Sequence, residues 1–459
     1  MKAWRFTWLG ELILLLLLTG AMENPALAQA QMGPSADLSL GEAVKLALEK
    51  HPALRAASHQ AAAAATGIDQ ARAGFLPRVD FSEGITRSNN PVYAFGSLLN
   101  QGRFTQADFA VDTLNHPDPI SNWRTNIGGS VPLFVGGRNL LGYQQAQISH
   151  EAAERGRART EQEIIYGVVR AYYAILLSQE ARTTVDASVR TAEANLAAAQ
   201  ARYESGVVVA SDALAARVRL ARLKQEAIAA ANQVALDRAA LNDAIGVDLD
   251  QSYRITGSLD LSPVRYERLE GMEALAKEQR PDYRQAVLEE QRLEKEVLRT
   301  KGALLPTLHL MGNYEINNHQ FASQGQDSWS VGMVMNLNLF SGGLDRARIV
   351  EAQANRERAA ALREKLASVI GLEVRDAYLG LQTARERVAV AKDAVTSAEE
   401  SLRIVQDRYE SGLTTIVELL DSEMALTAAR TSLTRTLYDA TVGQARLDLS
   451  LGTIDPMRF

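Results

Sequence analysis

The sequence predicts an α+β chain built twice over, with long coiled-coil helices joined to antiparallel strand hairpins, two strands in each copy. Three observations carry this. A set of residues recurs at a fixed offset, apolar and polar residues alternate with period two after a proline in each copy, and two 67-residue stretches run without proline, one of them on a heptad seam.

Composition narrows the class before any motif does. The chain has 459 residues, 46% hydrophobic and 23% charged, inside the ordinary range of folded domains, which excludes disordered and fibrous classes. A formal net charge of -6 provides no basic face for nucleic acid, so nucleic-acid binding is excluded as a main role. There is no cysteine, hence no disulfide, thiolate metal site, cysteine nucleophile or lipid-acylation site.

The first residues bear on compartment. Lys2 and Arg5 precede the apolar run Leu12 to Leu18, and Ala26-Leu27-Ala28 offers a small-residue cleavage site, so residues 1–28 are expected to be a secretory signal peptide. No later segment reaches the roughly 20 apolar residues that a spanning helix needs. If the mature chain sits in a membrane, it does so as a closed β-barrel.

The duplication sets the domain plan. Arg202-Tyr203-Glu204-Ser205-Gly206 recurs as Arg408-Tyr409-Glu410-Ser411-Gly412, and Phe134, Gly136 and Gly137 recur as Phe340, Gly342 and Gly343, all at an offset of 206. Pro52 and Pro77 match Pro281 and Pro306 at an offset of 229, so the first copy carries 23 extra residues between Pro77 and Phe134. The expected units are a first repeat over 29–246 (strand hairpin 78–134, helical hairpin 138–246), a linker over 247–270, a second repeat over 271–452 (strand hairpin 307–340, helical hairpin 344–452) and a tail over 453–459.

Each copy begins with a helical stretch, Leu40 to about Gly74 and Gly271 to about Leu304, that stops at a proline. Strand patterning follows. Leu308, Leu310, Tyr314 and Ile316 alternate with polar neighbours, and Trp329, Val331, Met333, Met335, Leu337 and Leu339 form the facing run; Trp123, Ile127, Val131 and Leu133 do the same in the first copy. A soluble sheet with one wet face shows the same alternation. The export signal, and a tryptophan at the start of each second strand where an aromatic girdle would lie, favour a transmembrane barrel. Four strands fall short of the eight that the smallest spanning barrel uses, so the barrel must be shared between protomers. Between the first two strands, Asn89 to Ser121 is long and polar, as befits an external loop.

The glycine pairs lead into helical sequence over 138–204 and 344–410, each roughly 100 Å long as one helix. Leu381, Val388, Val395, Leu402 and Tyr409 fall seven apart, with Ala384, Ala391, Ala398 and Val405 three further on; Val189, Leu196 and Tyr203 continue the seam in the first copy. That is a left-handed supercoil with close helix approach. Each helix ends at a Ser-Gly turn, and a return helix follows, about Ser211 to Ile245 and Thr415 to Leu451. The early helix of each copy is expected to extend the return path.

This ordered set resembles the TolC family of outer-membrane efflux and secretion channels over essentially all of the mature chain. The most specific pieces are the doubled Arg-Tyr-Glu-Ser-Gly turn, followed in copy two by Leu413-Thr414-Thr415-Ile416-Val417-Glu418-Leu419-Leu420-Asp421, and the strand end Pro132-Leu133-Phe134-Val135-Gly136-Gly137, repeated as Asn338-Leu339-Phe340-Ser341-Gly342-Gly343. The resemblance implies a homotrimer whose twelve strands close one barrel in outer-membrane lipid above a helical periplasmic tunnel. It implies an efflux or type I secretion duct, with a periplasmic adaptor (membrane fusion) protein and an inner-membrane pump as partners and no cofactor.

It also implies sites. The adaptor would meet Ser205, Gly206, Val207, Ser411, Gly412 and Leu413. Glu418, Asp421 and Asp212 map to the acidic positions lining the constricted tip, where a threefold ring of carboxylates favours cations. Glu418 also stands at capping spacing from Thr415, and Asp212 suits a helix start on dipole grounds alone. The sequence departs from the family pattern at Thr414, where the best-known relative has a basic latch residue, so closure is expected to rest on Tyr409 and packing instead.

An enzyme reading finds no support: the six histidines lack metal-ligand spacing, and no nucleophile elbow or phosphate loop is present. The rival from another class is a periplasmic coiled-coil scaffold or adaptor, which has long helical hairpins without the strand pairs.

Overall fold

The computed structural model describes residues 37–261 and 268–456. The expected signal peptide, residues 262–267 of the expected linker and the last three residues lie outside them.

Copy one opens with β1 (Asp37–Leu38), α1 (Leu40–Lys50) and α2 (Pro52–Ala73). Ser39 starts α1 through a capping box: its hydroxyl accepts the Glu42 N–H at 3.3 Å, and the Glu42 carboxylate accepts the Ser39 N–H at 2.8 Å. The stretch expected as one helix is broken at His51, because proline lacks an N–H and pushes the residue before it into extended backbone. Pro52 then serves as the first residue of the next helix. Copy two repeats the break at Arg280, between α7 (Met272–Gln279) and α8 (Pro281–Lys301).

The strands β2 (Arg78–Ser88), β3 (Ile120–Val135), β5 (Thr307–Asn318) and β6 (Gln326–Asn336) form one sheet in the order β2-β3-β5-β6, antiparallel throughout. The second hairpin is shorter than expected: pairing ends at Asn336 rather than continuing through Leu339 and Phe340. There the Asn338 side chain accepts the Phe340 N–H at 3.2 Å and turns the chain toward its helix. The register aligns Phe81, Ile127, Tyr314 and Trp329 in one row on the apolar face. The next row on that face is Glu83, Thr125, Ile316 and Asp327, where carboxylates end the apolar band. Trp123 stands one row further out, edge-on to Phe321 at 5.1 Å, so Trp329 alone of the two tryptophans joins the aromatic row. The segment expected as a polar loop holds α3 (Pro91–Asn100), a 3-10 turn (Gln106–Phe109) and α4 (Val111–Asn115).

The long helices α5 (Arg138–Glu204) and α9 (Leu344–Glu410) each have 67 residues, and α6 (Ala210–Ile245) and α10 (Ile416–Leu451) return beside them. Each return helix ends on a left-handed glycine pressed against the break at the head of the early helix. A Cβ on Gly246 (φ +80) would meet the His51 Cα at 2.7 Å, and one on Gly452 (φ +72) the Arg280 nitrogen at 2.8 Å. Early and return helices thereby stack end to end, giving four rods: α2 over α6, α5, α8 over α10, and α9.

Arg280 locks the second junction. It is buried, and its guanidinium reaches Asp282 and Glu373, each at 2.6 Å, and the Ser450 carbonyl at 3.3 Å. The first junction is held from outside. The linker contributes β4 (Arg254–Ile255), parallel to β1, and Tyr172 donates its hydroxyl between the Leu38 carbonyl, at 3.0 Å, and the Thr256 carbonyl. The largest core lies here, with Ile165, Val168, Val169, Ile175, Leu241 and Ile245 fully enclosed.

On the expected seam Leu381, Ala384, Val388, Ala391 and Val405 are buried, and Val395, Ala398, Leu402 and Tyr409 half-buried. Tyr203 departs from it: at 47% exposure it faces solvent in the single chain, whereas its repeat mate Tyr409 is covered by α5.

Candidate functional site

The far ends of the long helices form a tip about which the predicted site residues gather. Ser205 and Ser411 end α5 and α9, and Gly206 (φ +74) and Gly412 (φ +73) take the left-handed turn that any Cβ would strain. The N–H of Val207 donates to the Arg202 carbonyl and that of Leu413 to the Arg408 carbonyl, both at 2.8 Å, closing the helix ends. This hydrogen-bonded geometry leaves the Val207 and Leu413 side chains outside, each 71% exposed.

Behind the turns a small core of Ala199, Ala216, Ile416 and Leu420 joins the two copies, with Leu196 and Tyr409 packed against it. Arg202 completes it. Its guanidinium carbon lies 4.7 Å from the Tyr409 ring centroid, and its Nη1 donates to the Tyr409 carbonyl at 3.4 Å. A cation over a tyrosine face is attractive, about 0.5–1 kcal/mol when exposed and more when desolvated. Arg408, the repeat mate of Arg202, instead pairs with Glu418 at 3.4 Å.

Glu418 is thus engaged. Thr415 caps α10 by accepting the Glu418 N–H at 3.4 Å, but the carboxylate turns to the Thr414 hydroxyl and Arg408 rather than back to the Thr415 backbone. The capping spacing is therefore used in one direction only. Asp212 is half-buried at the start of α6 and accepts from the Ser211 hydroxyl at 3.4 Å, while Asp421 is exposed one turn along α10. Glu418 and Asp421 stand three positions apart on α10 and Asp212 in the first turn of α6, and Tyr409 is the predicted gate residue packed against the tip core.

Above the tip a polar ladder spans the copies. Asn195 donates to Glu423 at 2.7 Å, and the Ser188 and Thr427 hydroxyls meet at 3.2 Å. Burial pushes the Glu423 carboxyl up from its ordinary range, opposed by the Asn195 hydrogen bond and the nearby Arg219 charge. Sequence reading passed over Arg202, Asn195 and Glu423, because their partners lie more than 200 positions away; Arg202 alone carried a signal, as a member of the doubled turn motif.

A family model described as Outer membrane efflux protein matches residues 43–247 and 274–453. Outer membrane protein TolC of Salmonella enteritidis is 24% identical over 425 residues, covering 88% of this chain and 80% of the relative. Alkaline protease secretion protein AprF of Pseudomonas aeruginosa is 24% identical, covering 91% of this chain and 85% of the relative. The solved Campylobacter jejuni CmeC outer membrane channel superposes with a TM-score of 0.78 at 17% identity, covering 91% of this chain and 88% of that one, which speaks to the fold.

Proposed function

This chain belongs to the outer membrane efflux protein family, and from that membership we propose that three copies close a single conduit that spans the outer membrane and reaches through the periplasm toward a pump. The chain is an outer-membrane channel for efflux or for type I secretion export. Its work is conduction rather than catalysis.

The observation that carries the trimer is a sheet left open at both sides. β2 and β6 are its free edges, and continuing the antiparallel alternation sets β6 of one copy beside β2 of the next. Unpaired strand edges inside lipid would cost several kcal/mol per group, so closure is obligatory there. On the lipid face Val79, Phe81, Trp329, Val331, Met333 and Met335 are all exposed in the single chain. The helices agree. The outer rods near the tip are α6 and α9, and each shows apolar residues to solvent at matching heights: Val218 with Ile404, and Ile228 with Val390. Packing α6 of one copy against α9 of the next covers both stripes.

In such a trimer Asp421, with Glu418 and Asp212 nearby, forms the carboxylate ring of the tip gate, and the Arg202–Tyr409 contact holds it shut. The turns Ser205-Gly206-Val207 and Ser411-Gly412-Leu413 present the surface that a periplasmic adaptor would grip, with an inner-membrane pump beyond. Because the chain has no cysteine, Val218→Cys with Ile404→Cys can be joined by a short bismaleimide in isolated membranes. Dimer and trimer bands that vanish in either single variant are expected; their absence in protein that reaches the outer membrane would sink the arrangement.

A further inference from the structure

The 23 extra residues of the first copy sit on the polar side of the sheet. Ala94 and Ser97 of α3, and Gln101 that caps its C-terminus, are buried on one side of the helix, the first two small enough to let the backbone close in. Gln101 is the anchor. Its amide nitrogen donates to the Ser121 carbonyl and the Asn122 Oδ1 at 2.9 Å, and to the Asn318 carbonyl at 3.4 Å, while Asn122 donates to the Asn317 Oδ1 at 2.6 Å.

The register fixes the side of the sheet. Asn122 shares its face with Arg124 and Asn126, and Arg124 is paired with Asn317. That face is opposite the row of Phe81, Ile127, Tyr314 and Trp329. The insertion also touches the other two strands. Tyr93 donates its hydroxyl to the Thr86 carbonyl of β2 at 3.3 Å, and Gly102 lies against the Gln326 side chain of β6. It is packed within as well, with Phe95 on Phe104 at 4.9 Å and Phe104 on Phe109 at 5.0 Å, edge to face.

We propose that residues 89–119 form a constriction inside the outer mouth of the channel, pinned to the lumen wall by Gln101 and completed by the same segment of the two neighbouring copies. This rests on the barrel reading above, in which the polar face lines the lumen. Twelve tilted strands about 4.8 Å apart close with a backbone radius of roughly 12 Å. Three helices about 10 Å across, set around a threefold axis, fill a circle of roughly 11 Å radius. The three α3 helices, one from each chain, therefore occupy most of the opening at the outermost rungs. The face of each away from the sheet carries Val92 and Leu99, 82% and 47% exposed in the single chain, which point toward the axis where the other two copies meet them. The outer aperture is then set by this insertion, and it admits small solutes while restricting bulky ones from outside.

Ser330 tests this without reference to the tip. It lies on the polar face of β6, paired with Asn313 and below the insertion. With Ser330→Cys in the otherwise cysteine-free chain, intact cells are treated with a small maleimide or with a polymer-linked maleimide narrower than the bare barrel. Residues 89–119 are replaced in a second form by Asn-Gly; Ser88 and Ile120 are ladder partners, so a two-residue turn joins them. The small reagent is expected to label both forms, and the bulky one to label the shortened form at least roughly tenfold faster than the intact chain, given the filled mouth. Gln101→Ala in the full-length chain is expected to fall between, and it carries the test if the shortened form does not reach the membrane. Equal bulky labelling with and without the insertion, or with and without Gln101, would overturn the constriction and leave the channel standing. Failure of the small reagent to reach Ser330→Cys on intact cells would overturn the barrel reading itself.

Discussion

Arg202 and Tyr409 join the two repeats at the tip, the guanidinium carbon standing 4.7 Å from the ring centroid while Nη1 donates to the tyrosine's own carbonyl at 3.4 Å. The two contacts bridge the ends of α5 and α9, which part in the opening of the tip gate proposed above. Arg202→Ala removes the cation and the hydrogen bond together, a loss of about 1–2 kcal/mol, which shifts a closed–open equilibrium by roughly five- to thirtyfold. Single-channel recordings in planar bilayers should show the open fraction rising accordingly. Arg202→Lys, which retains charge without the planar group, should recover part of the closure.

Asp421 differs from Glu418 in what occupies it. Glu418 is held by Arg408 and the Thr414 hydroxyl, whereas Asp421 is exposed on α10. Asp421→Asn should therefore lower cation preference more than Glu418→Gln does, seen as a smaller reversal potential in a salt gradient. Glu418→Gln should act mainly on the stability of the turn, by about 1 kcal/mol or less for an exposed pair.

Glu423 makes the contact between the repeats dependent on pH. Burial holds its carboxyl above the ordinary value of 4.5, so the folded state binds the proton more tightly than the unfolded chain does. Stability is therefore greatest with Glu423 protonated and falls as pH rises from that ordinary value through the elevated folded one. The charged groups facing it are Arg219 and, along the same cleft, Arg430. Thermal unfolding midpoints of the detergent-solubilised protein between mildly acidic and neutral pH should fall in the wild type. Glu423→Gln should remove that slope and raise the neutral-pH midpoint.

The architecture was largely legible, for a physical reason. Gly137, Gly343 and the two Ser-Gly turns punctuate stretches with no proline or run of glycine, and α5 and α9 start and stop where those residues stand. Pro52 and Pro281 lie in stretches whose composition predicts one continuous helix, yet each begins a new one because proline drives the residue before it into extended backbone. Alternation through Leu337 and Leu339 overstated β6, because a period of two persists in any extended chain and only partner hydrogen bonds end a strand. The tip's contacts between the repeats were out of reach: Asn195–Glu423 and Arg202–Tyr409 depend on which faces of the rods meet, and heptad spacing within one helix leaves the choice of partner helix open. The insertion's amide network was hidden for the same reason, with Gln101 and Asn318 separated by 217 positions.

The unpartnered stripe on α6 yields a direct test of assembly. Val218 is 70% and Ile228 73% exposed in the single chain. If the neighbouring copy covers them, Val218→Asp buries an unpaired carboxylate at the interface, a cost of several kcal/mol. The variant should shift toward single chains on size-exclusion chromatography in detergent, while its helical circular dichroism at low temperature stays near that of the wild type.

The most direct test of the account is the native mass of the wild-type protein extracted in detergent from separated outer membranes, with bound detergent subtracted. Three chains per particle from the outer-membrane fraction is the predicted result, since the four-stranded sheet of each chain, open at both edges among the described residues, requires partners to close a barrel. A single chain or a dimer, recovered without detergent from the periplasm, would contradict it and leave a soluble coiled-coil scaffold in its place.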